Sequence, residues 1–200
     1  MFLKTIGMLA LNNLVVMPFF LYIGVVLNNF ESNTSFSLED LPTSWTLFWQ
    51  NLVLFFLEDW GFTAGHCLLH TKFLYKHVHK IHHSYTQPVG ISAEYAHPLE
   101  FFLGNMVPLV GPMLLLGKSL HQFTFLAFGA LRLMMATGGH SGYSFPWDAT
   151  ELHPFRLDSH YHDYHHSGNI DSNFSGTNYL IDYIFGYNRS YYASLKKKAQ

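Results

Sequence analysis

At 200 residues the chain is sized for one domain, and its mixture is unusual: 49% hydrophobic, 18% aromatic and only 12% charged residues, with 14 histidines. A net charge of −2 and a pI near 6.7, without a basic patch or recognition motif, remove the electrostatic case for a nucleic-acid partner. Cys67 is the single cysteine, so intrachain disulfides and thiolate zinc sites are excluded, and any metal must be held by nitrogen and oxygen.

In chain order, 5–27 is apolar apart from Asn12 and Asn13, long enough to cross about 30 Å of hydrocarbon at about 1.5 Å per residue. It reads as a retained span, because it is too long for a signal core and Leu27-Asn28-Asn29 offers no small-residue cleavage pattern. A second span, 44–58, opens at the N-cap candidates Thr43 and Ser44, and its helix should project beyond the bilayer through 58–70. Two more, 99–117 and 120–138, are joined by Gly117-Lys118-Ser119 and read as a hairpin. The expectation is an all-α membrane protein with about four transmembrane helices in two hairpins. Segments 59–98 and 139–190 would form a cytosolic helical cap holding a histidine-box di-metal site, and 191–200 a basic tail.

Basic residues set the orientation. Lys4, Lys72, Lys76, Lys80, Arg156, Arg189 and the lysines at 196–198 fall on the face carrying the histidines, whereas the other face has Glu31, Glu39, Asp40 and the single Lys118. Both termini are therefore expected in the cytosol. The triplet Asn33-Thr34-Ser35 would be lumenal, an acceptor type close to the membrane, and the triplets at Asn173 and Asn188 should stay unmodified. Lys197-Lys198-Ala199-Gln200 looks like a dilysine signal that retrieves membrane proteins to the endoplasmic reticulum.

The histidine spacing carries the chemistry. Residues three and four apart on an α-helix share a face, so His66 and His70 point the same way, and His79, His82 and His83 do likewise. His162, His165 and His166 repeat the second spacing. Eight imidazoles exceed the roughly four ligands of one metal, which implies two metals, and imidazole suits Zn, Cu, Fe and Ni alike. His97 and His140, each where a loop meets a span, are candidate additional ligands. His77, His121, His153 and His160 are read as surface or structural residues.

Asp59 precedes His66 by seven residues and His70 by eleven, and so is the best candidate to accept a ligand's second N–H. Glu58, about 100° round the helix, could equally face solvent. Arg132 lies inside the fourth span, where an unpaired charge would cost at least about 2.5 kcal/mol, so it should have a carboxylate partner (Glu94, Glu100 or Asp59) or mark the substrate cavity.

From Glu58 to Tyr187 the chain resembles the sterol desaturase and fatty acid hydroxylase superfamily. The likeness rests on Glu58-Asp59, His66-Cys67-Leu68-Leu69-His70, His79-Lys80-Ile81-His82-His83, His162-Asp163-Tyr164-His165-His166 and Tyr183-Ile184-Phe185-Gly186. Ala93-Glu94-Tyr95-Ala96-His97-Pro98-Leu99-Glu100 and His140-Ser141-Gly142-Tyr143 favour its C-4 methylsterol monooxygenase branch. Cys67 stands where the family usually has Arg, and the chain is shorter before its first box. The resemblance implies two Fe ions, which Zn can replace on purification, O2 as cosubstrate, and electrons from NAD(P)H through cytochrome b5 and its reductase. It implies a sterol substrate reached from the lipid bilayer. The rivals are sterol C-5 desaturation, sphingolipid or fatty acyl hydroxylation, and a non-catalytic metal-binding scaffold.

Overall fold

The computed structural model describes residues 1–27, 29, 37–144, 157 and 159–198. Glu31, the Asn33 triplet, His153, Arg156 and the final Ala199-Gln200 lie outside the described residues. Among the described residues every regular element is helical, the class the sequence implies. Among the described residues three helices are long and apolar enough to cross a membrane: α1 (Phe2–Leu27), α2 (Ser44–Leu69) and, after the short α3 (Lys72–His77), α4 (Pro98–Ser119). The fourth expected span is helix α5 (Gln122–Gly139), which Gln122, Arg132 and its glycines make less apolar than those three. The chain then forms α6 (Ser159–Ser167), α7 (Leu180–Phe185) and α8 (Arg189–Lys198).

Helix α2 is the axis of the fold. Thr43 caps it, its hydroxyl accepting the Thr46 N–H at 3.1 Å. It continues unbroken to Leu69, about 39 Å at about 1.5 Å per residue, so it can cross the hydrocarbon and still project. One stripe is buried: Gln50, Leu54, Phe55, Glu58, Asp59, Thr63, His66 and Leu69. Its lower part packs Leu54 and Phe55 against Leu120, Phe125, Phe128 and Met135 of the α4–α5 hairpin.

Glycines let α4 come close to its neighbours. A Cβ on Gly65 would lie 2.8 Å from the Leu103 carbonyl, and one on Gly61 3.2 Å from Pro108 Cα. On α1, a Cβ at Gly24 would meet Val110 at 2.8 Å. In lipid, where burying apolar surface between helices brings little gain, such close backbone approach is the main source of attraction. Both α1 and α4 contain one wide π turn, Asn12–Val16 and Phe102–Met106. Buried Asn12 sits in the first and donates to the Ala96 carbonyl at 2.8 Å, tying α1 to the segment before α4.

Proline creates a polar opening in α4. Pro108 has no N–H for the carbonyl four residues earlier, Gly104, and the Arg132 guanidinium of α5 donates to that oxygen at 3.4 Å.

Candidate metal centre

The second histidine box is not α-helical. Residues His79–Ser84 form a tighter 3-10 turn, while the first box ends α2 and the third lies in α6. Among the described residues nine histidines converge in two groups, His66, His70, His79, His83 and His165, and His82, His140, His162 and His166, the candidate ligand atoms of each lying within 4.8 Å of one another. The boxes are divided between the groups. In each box the pair four residues apart goes to one group; in the two HxxHH boxes the remaining histidine goes to the other. His79 and His83 thus join the first group and His82 the second, whereas His162 and His166 join the second and His165 the first. The groups abut: the His83 and His166 rings are 4.6 Å apart and the His79 and His82 rings 5.4 Å.

Backbone carbonyls fix the tautomers. A carbonyl only accepts, so a ring nitrogen bonded to one must carry the hydrogen. Nδ1 donates to Phe174 O in His66 (2.6 Å), Tyr95 O in His82 (3.3 Å) and Ala136 O in His140 (2.8 Å). It donates to Ser172 O in His165 (2.6 Å) and Tyr85 O in His166 (3.1 Å). In neutral rings the Nε2 lone pairs of these five are then free and turned inward. The Nε2 atoms of His82 and His140 stand 3.3 Å apart, two lone pairs facing each other. The chain His66, His79, His83, His165 has Nε2 separations of 3.1, 3.0 and 3.2 Å. Ligands about 2.1 Å from one cation stand about 3.0–3.4 Å apart at right-angled to tetrahedral geometry, so the residues fit a metal in each group. Both ring nitrogens of His70 and Nε2 of His166 are buried and unpartnered, as ligands awaiting a cation would be.

Protonation does not resolve the facing lone pairs. Burial, followed by neighbouring histidines, holds His79, His82, His162 and His165 well below the usual imidazole range. Burial pushes His70 down to about 2 and His140 to about 4. A lowered folded pKa means the unfolded chain takes protons first, from about pH 6.5 downward. Metal-free protein is therefore expected to lose stability as pH falls below about 6.5, His140 contributing until about pH 4 and His70 until about pH 2. Unfolding curves in micelles across that range test this, and a flat profile contradicts it.

The remaining sequence candidates fall as follows. His140 joins the second group, whereas His97 joins neither, its Nδ1 accepting the Leu99 N–H at 3.1 Å as the cap of α4. His121 caps α5 in the same way, and His77 and His160 are exposed. Asp59 does not reach a box histidine, because seven residues along a helix is about 10.5 Å. Its Oδ1 accepts Thr177 N–H and Oγ1–H, both at 2.8 Å, and Asn178 N–H at 3.4 Å. From the other side Asp182 accepts from Phe174 N, Ser175 N and the Tyr161 hydroxyl, at 3.2, 3.0 and 2.8 Å. The two aspartates clasp the loop whose Ser172 and Phe174 carbonyls orient His165 and His66. Asp59→Ala is expected to weaken metal binding in the first group by about 10- to 100-fold and the second group less, with Asp59→Asn milder. Competition against a chelator measures it.

Arg132 pairs with Glu58, not with Glu94, Glu100 or Asp59. Glu58 is buried because α5 covers the flank of α2 that would otherwise face solvent. A signal for this existed: Glu58 precedes His66 by eight residues, as Arg132 precedes His140. Glu100 instead sits 2.9 Å from His79 Nδ1, the one carboxylate touching a ring nitrogen among the described residues. A cavity lies against both groups, bordered by His66, His79, His82, His140 and His162 and walled by Phe62, Leu69, Ala96 and Met135.

Fold and site together define a helical membrane protein whose histidines could hold two metal ions beside an apolar cavity. The sequence profile of the fatty acid hydroxylase family matches residues 51–187, and the chain belongs to that family. It is 40% identical over 154 residues to the rice (Oryza sativa) very-long-chain aldehyde decarbonylase GL1-11, covering 74% of this chain and 55% of that protein. It is 40% identical over 153 residues to methylsterol monooxygenase 1-1 of Arabidopsis thaliana, covering 76% and 50%. With methylsterol monooxygenase 2-2 of that plant the figures are 38% over 144 residues, 71% and 53%. The chain thus spans about half the length of the curated relatives it matches. No solved structure matches it.

Proposed function

We propose that this chain is a membrane-bound non-haem di-iron monooxygenase that oxidises C–H bonds of a sterol, most readily the C-4 methyl group. The observation that carries the reading is the paired set of inward lone pairs at the wall of an apolar cavity, with methylsterol monooxygenases among the relatives. His66, His70, His79, His83 and His165 would hold one iron, and His82, His140, His162 and His166 the other. Bound there, the metals supply dioxygen activation. One oxygen atom enters the C–H bond and the other leaves as water, with two electrons and two protons delivered from outside. The electrons come from NAD(P)H through cytochrome b5 and its reductase.

The polypeptide has the other tasks. The carbonyl-held imidazoles keep their donor atoms aimed without further reorganisation, and Phe62, Leu69, Ala96 and Met135 exclude water and seat an apolar ligand. The Glu58–Arg132 pair supplies polarity without net charge. We place the chain in the endoplasmic reticulum membrane with four spans, both termini and the histidines being cytosolic.

A second reading, action on a long-chain aldehyde, is favoured by the equal identity to the rice decarbonylase. Expression in a sterol-auxotrophic host with added methylsterol, followed by mass spectrometry, separates them. Loss of a C-4 methyl, abolished by His82→Ala or His165→Ala, is expected. Retention of the methyl with conversion of an aldehyde would favour the second reading. Iron-free protein, with complementation indifferent to those substitutions, would leave only a non-catalytic scaffold.

A further inference from the structure

A second cavity lies between α1, α4 and α5, walled by Met17, Leu21, Leu109, Phe125 and Gly129. It meets the cavity at the histidines: Asn105 of α4 and Arg132 of α5 border both. Arg132 is committed to Glu58 and the Gly104 carbonyl. The Asn105 side chain makes no hydrogen bond among the described residues, although it projects from an apolar helix. Half-buried where the two cavities meet, that amide is free to donate to and accept from a polar group of a ligand.

Two glycines of α5 reinforce this. Gly129 lines the second cavity and Gly139 the first, and a Cβ on either would meet nothing within 4 Å. Gly129 lies inside the helix, where glycine is costly relative to alanine, and there, unlike at Gly24, Gly61 and Gly65, no neighbouring helix requires it; Gly139 closes the helix. What the two absent side chains preserve is volume. They stand ten residues apart, about 15 Å along the helix, so a ligand filling both cavities must be elongated.

We infer that one elongated lipid alcohol occupies both cavities, its hydroxyl on the Asn105 amide and its apolar body running past Gly129. A hydroxyl both donates and accepts, as does the amide, so the match is specific to an alcohol in a way an apolar wall is not. Asn105 then sets which polar group is accepted, and Gly129 how long the ligand can be. The inference rests on the lipid-oxidation reading above and names the part of the ligand each cavity takes.

The experiment is equilibrium binding to the metal-loaded full chain in detergent, without dioxygen so that nothing turns over. The probes are a radiolabelled 4-methylsterol, its 3-deoxy counterpart and its counterpart without the side chain. The wild type is expected to bind the alcohol about tenfold tighter than the deoxy compound. Asn105→Leu should erase that preference while leaving deoxy binding unchanged. Gly129→Phe should weaken the side-chain-bearing sterol at least about tenfold and spare the shorter one, with Gly129→Val as a smaller step if the first loads less metal. Persistence of the alcohol preference in Asn105→Leu overturns the inference. So does equal weakening of both lengths in metal-loaded Gly129→Phe or Gly129→Val, or a wild type that binds neither sterol. A wild type with these preferences that never oxidises its ligand sinks the monooxygenase reading alone.

Discussion

His162→Ala is expected to lower metal content from about two ions per chain to about one, and turnover to below about one hundredth of wild type. His162 belongs to the four-histidine group, so its loss leaves three nitrogen donors and opens the ligand shell on the cavity side. His165→Ala removes one of five and leaves four, enough to retain a metal, so its metal content should fall less than that of His162→Ala. If each box instead served one metal by itself, the two substitutions, three residues apart in one box, would give the same stoichiometry. Elemental analysis of both variants, purified anaerobically, decides between these outcomes.

Separating Glu58 from Arg132 should be the most damaging change away from the histidines. Glu58 is 2% exposed and Arg132 12%, so removing either partner leaves a charge inside the bundle, at a cost of about 3–5 kcal/mol. Glu58→Leu and Arg132→Met are each expected to abolish recovery of metal-loaded protein or to lower its unfolding midpoint sharply. The double variant Glu58→Leu/Arg132→Met should regain most of the loss, because an apolar pair of similar volume replaces two charges. Recovery should remain incomplete by about 1–3 kcal/mol, since the Gly104 carbonyl that Pro108 cannot satisfy loses its donor. Denaturant titration in micelles reads the cycle, and additive losses would show that the pair is not coupled.

The helical class and the convergence of the eight box histidines are legible in the sequence, because both follow from local periodicity. Apolar runs of twenty residues leave few alternatives to a helix, and His66 with His70 shares a face wherever α2 lies. The division of the boxes between two groups is not local. Whether His82 sides with His79 or with His140 depends on how closely α5 approaches the 3-10 turn. His97 and His140 look alike in sequence, each beside a loop, but His97 precedes Pro98 and is used as a helix cap. Asp59 reads in the sequence as an acceptor for a ligand's second N–H, yet its partners Thr177 and Asn178 lie over a hundred residues away, in a loop that periodicity does not describe.

The carbonyl-held tautomers have a consequence for redox poise. Every ring facing inward is neutral, and Glu100 is the one carboxylate in contact with a ring among the described residues. Two divalent ions would bring about four positive charges into this pocket with little anionic compensation. Such a shell raises the reduction potential, so the lower oxidation state is favoured at rest and small anions such as azide or hydroxide are drawn to the oxidised form. A carboxylate-rich di-metal site would show the opposite bias, which makes the midpoint potential a property set largely by the use of neutral imidazoles in place of carboxylates around the metals.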